Sequence, residues 1–197
     1  MKAVPSVGES RRTCMDIVRK VGYLLLSGGL MLLLYIFFHE LGHLIVMISA
    51  GVTITEFSIL GAHVSGIGGT YTTASAVMMN VNGALLPVVL SFLYTIFYQR
   101  KCRNTFYRIF SYMVAITPIA SLLAWVMVPV LYLQGKAPVG DDITKFLDHT
   151  AEFFPPLAVS LVATAVIAAG GILVWKKGLL KNFQEAIKGE RVAAGEV

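Results

Sequence analysis

Two histidines four residues apart, with a glutamate beside the first, carry the chemistry this chain offers most openly: His39-Glu40-Leu41-Gly42-His43. On a helix, residues i and i+4 share a face, so both imidazoles can offer a ring nitrogen to one ion. Zinc takes such ligands readily. Glu40 lies one step round the helix, where a carboxylate can take a proton from water activated by the ion. The setting sharpens the point. Leu32 to Phe38 precede the motif and Leu44 to Ile48 follow it, and both runs are apolar. Ionisable groups inside a membrane helix are costly and mark function. The plain alternative is a polar contact between helices, but that gives little reason for three such groups in one apolar turn.

The elements that must hold this motif are membrane helices. The chain is 56% hydrophobic and 14% charged, where a soluble domain is about a quarter charged. Composition and periodicity predict an all-α membrane protein of about four transmembrane helices, with a small β-hairpin or sheet between the first two. The spans run from about Val21 to Ala50, Val81 to Tyr98, Phe106 to Leu133 and Leu157 to Trp175. Each approaches the ~20 apolar residues that a bilayer requires. Ser27-Gly28-Gly29 is a candidate soft point in the first. That span is too long for a cleaved signal peptide and lacks a small-residue cleavage site. Residues 1–20 read as a cytoplasmic segment, 21–175 as one membrane-embedded domain and 176–197 as a charged cytoplasmic tail with a short helix.

Between the first two spans, Val52 to Leu60 alternates and is rich in β-branched residues, which predicts a strand. The glycines of 61–69 predict a turn, and Thr70 to Thr73 the returning strand. An exposed edge there could dock an extended peptide. In the second long connection, Ile143, Phe146, Leu147 and Thr150 recur at helical spacing.

The net charge is +5, and all but two of the 16 basic residues fall in three segments: residues 1–20, the loop and helix start from Arg100 to Arg108, and the tail from Lys176. The exceptions are Lys136 and Lys145. The positive-inside rule then places both termini in the cytoplasm. These charges flank spans and form no interleaved patch, so nucleic acid is not an expected partner; anionic lipid headgroups are. Cys14 and Cys102 lack metal-ligand spacing and are expected to be reduced thiols.

A catalytic zinc usually has three protein ligands. The third must come from the connections on the motif's side of the membrane, which offer Glu56, His63, Asp141, Asp142, Asp148, His149 and Glu152. The pair Asp141-Asp142 follows a glycine and starts the short helix. Asp142 is preferred as the ligand, with Asp141, His63 and His149 as alternatives. Either aspartate could instead only cap the helix.

His39-Glu40-Leu41-Gly42-His43 on a membrane helix, a β-rich segment after it and an aspartate about a hundred residues later resemble the site-2 protease family of intramembrane zinc metalloproteases. The resemblance covers roughly residues 30–150. It implies a core of three membrane helices, zinc on His39, His43 and Asp142, Glu40 as general base, and cleavage of membrane-associated protein substrates. Asn82-Gly83-Ala84-Leu85-Leu86-Pro87 resembles the small-residue segment that opens the family's next helix. Three features depart from the pattern, one of them the orientation, since many relatives hold the site near the cytosol and the charge bias here puts it near the outer face. Gly140-Asp141-Asp142-Ile143 replaces the usual Leu-Asp-Gly, and Gln134 stands where the family has an asparagine. Two other classes stay open on the residues alone: a zinc hydrolase of a lipid or small molecule, and a non-enzymatic membrane adaptor that keeps the metal site. Oligomeric state is not legible.

Overall fold

In the computed structural model, which describes residues 7–188, the apolar segments form helices where hydropathy places them. The elements in chain order are α1 (Val7–Ser49), β1 (Val52–Ser58), β2 (His63–Gly68), α2 (Thr73–Ile96), α3 (Thr105–Ser121), α4 (Leu123–Leu133), α5 (Asp142–Thr150), α6 (Pro156–Lys177) and α7 (Leu179–Lys188). Among the described residues, four stretches are long and apolar enough to cross a membrane: Met15–Ser49, Thr73–Ile96, Thr105–Leu133 and Pro156–Lys177. The first and second start earlier than expected, the second by eight residues at Thr73, and the first continues α1 without a break through Ser27-Gly28-Gly29. The third comprises α3 and α4. Between them the chain tightens: Leu122 N donates to the Ile119 carbonyl three residues back, and the Ser121 hydroxyl donates to the Pro118 carbonyl. The expected segment before residue 7 and the tail beyond Lys188 lie outside the described residues, as does the side chain of Cys14. Cys102 is a free thiol.

Apolar side chains alone cannot pick partners among helices in lipid, so small and polar residues must contribute to the contacts. Ser91 Oγ donates to the Ala115 carbonyl and Ser160 Oγ to the Val126 carbonyl, each at 2.8 Å. Gly42 on α1 faces α2 so closely that a Cβ there would collide with the Asn82 carbonyl. Asn82 Nδ2 in turn donates to the Gly42 carbonyl at 2.8 Å. This contact sets how near the histidine motif lies to α2.

The hairpin differs in detail from expectation. β2 is antiparallel to β1, with Val52 opposite Gly68 and Ser58 opposite His63, and a bulge between Ile54 and Glu56. The returning strand therefore occupies the glycine-containing stretch that reads as a turn, while Thr70 to Thr72 leads into α2 and Thr73 opens it. Thr72 caps that helix by accepting from Ser75 N. The physical reason lies in Gly66. Its place against Val52 and the Thr53 carbonyl leaves no room for a Cβ, so glycine here marks a close approach of backbones.

α5 forms as its spacing predicts. Ile143 and Leu147, 5% and 0% exposed, sit in one cluster with Ala84 and Val88 of α2, Trp125 and Val128 of α4, and Val159 of α6. Phe146 meets the Trp125 ring edge to face at 5.4 Å. Burial of this apolar face fixes the first turn of α5 over the bundle. At the other end of the helices, the start of α1, the 97–104 loop and α7 converge. Arg108 reaches Glu185 at 3.3 Å, Asn182 donates to the Arg100 carbonyl, and Lys177 donates to the Ile96 carbonyl. Among the described residues, Arg19, Lys20, Arg103 and Arg108 thus gather at one end, and the histidine motif lies toward the other.

Candidate metal centre

His39 and His43 project from the last three turns of α1, one helical turn apart. Their rings meet edge to face at 4.7 Å between centroids. The two Nε2 atoms are 3.1 Å apart. Asp142, the first residue of α5, brings Oδ2 to 3.3 Å from His39 Nε2 and 3.2 Å from His43 Nε2. Three ligand atoms from residues about a hundred positions apart therefore converge on one point, and the group could hold a metal ion.

The hydrogen bonds around the group make that fit specific. His43 Nδ1 donates to the Met79 carbonyl on α2 at 2.8 Å. That bond selects the tautomer and leaves a lone pair on Nε2. This lone pair faces a carboxylate oxygen and a second imidazole nitrogen. Acceptors at such distances repel unless a proton or a cation lies between them. His39 Nδ1 is buried without a hydrogen-bond partner among the described residues, so the contacts of that ring lie at Nε2. Asp142 Oδ2 thus faces both Nε2 atoms across gaps that a shared cation would fill, and a carboxylate that binds such an ion does so ionised.

The neighbouring aspartate has the other role foreseen for the pair. Asp141 is the N-cap of α5, with Oδ1 accepting from Ile143 N at 2.6 Å and Oδ2 from the Thr144 hydroxyl at 3.3 Å. Capping thus points Asp141 back at its own helix and leaves Asp142 to face α1. The remaining candidates stay apart from the cluster. His63 pairs with Glu56 across the hairpin at 3.2 Å. Asp148 accepts from the Tyr132 hydroxyl at 3.0 Å. Glu152 is exposed.

Glu40 is 5% exposed. It lines a cavity of about 670 Å³ together with His39, His43 and Asp142. His63 of the hairpin and Lys145 and His149 of α5 line the same space. Asp142, Lys145 and His149 follow at i, i+3 and i+7, one face of a helix. The site is therefore bounded by α1, α2, α5 and the hairpin.

Two participants carry no side-chain signal in the sequence. One is the Met79 carbonyl. The other is Gly83, where a Cβ would lie 2.6 Å from His43 Nε2 and 2.8 Å from His39 Cε1. Only a residue without a side chain lets α2 pass this near the imidazoles. The pairing of Gly42 in the motif with Gly83 in the next span is the pattern that could have pointed to it. Comparison of the chain with protein-family models, with curated proteins and with solved structures found no match.

Proposed function

We propose that this chain is a zinc-dependent intramembrane protease, with His39, His43 and Asp142 as zinc ligands and Glu40 as the general base. The observation that carries the reading is the convergence of the two Nε2 atoms and Asp142 Oδ2 within 3.1–3.3 Å of one another, beside a buried carboxylate in the same cavity. A tetrahedral site with bonds of about 2.0–2.1 Å has ligand-to-ligand edges of about 3.3–3.4 Å. The observed separations suit zinc on that count, and two nitrogens with one carboxylate oxygen form a donor set typical of catalytic zinc. A purely structural site has no use for a second carboxylate outside the ligand set, which is why Glu40 favours an enzyme.

When bound, the ion supplies Lewis-acid chemistry: it lowers the pKa of water toward 7 and polarises a peptide carbonyl. His43, locked by the Met79 carbonyl, and Asp142, locked by the docking of α5, keep the donor set from relaxing. Glu40 accepts the proton of the attacking water at its carboxylate. As the new C–O bond forms and the C–N bond breaks, Glu40 passes that proton to the leaving amide nitrogen. The motif lies about 9–15 Å along α1 from its last residue, so the reacting peptide must reach below the membrane surface. A substrate helix has its own backbone bonds satisfied and must unwind first. The hairpin supplies one wall of the cavity, through His63, and an extended segment would lie along it. The charge bias puts both termini in the cytoplasm and the metal centre toward the outer face.

The test is Glu40→Gln in the purified chain, incubated with a library of single-span peptides and read by mass spectrometry. The variant should keep its zinc and lose cleavage by several orders of magnitude, because the amide cannot accept the proton. Cleavage by Glu40→Gln at the wild-type rate would overturn the reading. So would a zinc-loaded wild-type chain that hydrolyses lipid esters and cuts no peptide.

A further inference from the structure

A second polar cavity lies at the opposite end of the helices. It measures about 290 Å³ and is lined by Asp16, Arg19 and Lys20 of α1, Arg103 and Arg108 before and within α3, and Glu185 of α7. Some twenty residues of α1 separate it from His39, roughly 30 Å of helix. Four cations face two carboxylates here. Asp16 holds both Arg19 and Lys20 at 2.6 Å. Glu185 holds Arg108 at 3.3 Å, with Lys181 at 3.9 Å. Arg103 makes no salt bridge among the described residues. Among the cavity's lining residues, the balance is an excess of two positive charges.

Two of the cations are hard to reach from water. The Lys20 and Arg108 side chains are 14% and 10% exposed. Arg108 is also held in place, with Nε donating to the Cys102 carbonyl at 2.9 Å. Both are already compensated, by Asp16 and Glu185, so the excess charge belongs to the more exposed Arg19 and Arg103 at the rim. A cavity with uncompensated positive charge and fixed N–H donors is suited to a phosphate group.

We propose that this cavity binds the phosphate of an anionic lipid headgroup. The argument for a lipid over a free phosphate comes from what flanks it. Met15, Ile17 and Val18, beside Asp16 on α1, are 57–74% exposed, and they begin the apolar stretch of the first span. An acyl chain can lie along that surface while its headgroup enters the cavity, whereas a free anion would leave the apolar surface uncovered. Because α1, α3 and α7 each contribute charged groups, the bound headgroup would tie α7 to the bundle. Basic residues near a membrane attract anionic lipids in general; here the charges are gathered around one space, so one lipid per chain is the expected stoichiometry. The proposal does not depend on the metal centre.

The experiment uses the delipidated full chain in neutral detergent. Native mass spectrometry and thermal melting are followed while phosphatidylglycerol or phosphatidylcholine with identical acyl chains is titrated in. Inorganic phosphate and glycerol 3-phosphate form parallel arms. Phosphatidylglycerol should bind one per chain and raise the melting temperature, and phosphatidylcholine should do neither. Arg103→Gln should weaken phosphatidylglycerol about 5-fold, and Arg103→Glu and Arg19→Glu about 30-fold each, at roughly 5-fold per charge. Lys136→Glu, the same charge change in the loop before α5, should leave its affinity unchanged. Equal binding of phosphatidylcholine, or an equal loss in Lys136→Glu, would overturn the proposal. Saturation by inorganic phosphate at the lipid's own concentration would make this a free-anion site and overturn it as well.

Discussion

Gly83→Ala is the sharpest test of the metal centre, because it changes no ligand. The new methyl would stand 2.6 Å from His43 Nε2 and 2.8 Å from His39 Cε1. Ordinary carbon contacts are about 3.5–4.0 Å, so α2 or the imidazoles must give way by roughly 0.7–1 Å. α2 cannot easily retreat, since Asn82 is bonded to the Gly42 carbonyl and the Met79 carbonyl to His43. The rings must move, and metal sites tolerate only about ±0.2 Å in ligand distance. We expect zinc affinity to fall at least 10–100-fold, the size of effect seen when the support of a ligand is disturbed. Overpacking of this kind also costs about 1–3 kcal/mol of stability. The assay is competition for zinc against a chromophoric chelator with the purified chain, alongside a thermal melt. Gly29→Ala is the control, since a Cβ there meets nothing within 4 Å; it should leave zinc affinity unchanged and stabilise the helix by about 0.5–1 kcal/mol. Wild-type zinc affinity in Gly83→Ala would show that the imidazoles do not meet α2 as described.

Asp142→Ala should abolish zinc binding, while Asp141→Ala should keep most of it and cost about 1 kcal/mol as the loss of a helix cap; zinc content and a thermal melt of both variants decide, and the reverse pattern would exchange the two roles. With Cys14 and Cys102 replaced by serine, a single cysteine at residue 104 should be labelled from the cytoplasm and one at 65 or 145 from the outside; labelling of 65 from the cytoplasm would reverse the orientation. His63 is held above its ordinary pKa, first by its hydrogen bond with Glu56 and then by the Gly61 carbonyl. The protonated pair is therefore complete below about pH 6.5 and is lost as pH rises through the raised value. Glu56→Gln should lower the titration midpoint of the His63 ring in an NMR pH series, and an unchanged midpoint would remove that ion pair.

Sequence alone was enough for the four membrane stretches and for the pairing of His39 with His43. Both are local properties. Hydropathy over ~20 residues decides whether a helix enters a bilayer, and 3.6-residue periodicity places i and i+4 on one face whatever surrounds them. The amphipathic α5 was legible for the same reason. What spacing could not decide was which aspartate reaches the histidines. That depends on the burial of Ile143 and Leu147 against α2, α4 and α6 and on Asp141 spending its carboxylate as a cap, and both are settled only when the helices pack. The strand at His63–Gly68 was misplaced because glycine marks a turn in local terms, whereas Gly66 answers to a neighbouring strand. Gly83, the Met79 carbonyl and the basic cavity between α1, α3 and α7 belong to the tertiary structure alone. Each is a meeting of segments distant in the chain, and no local periodicity records which segments will meet.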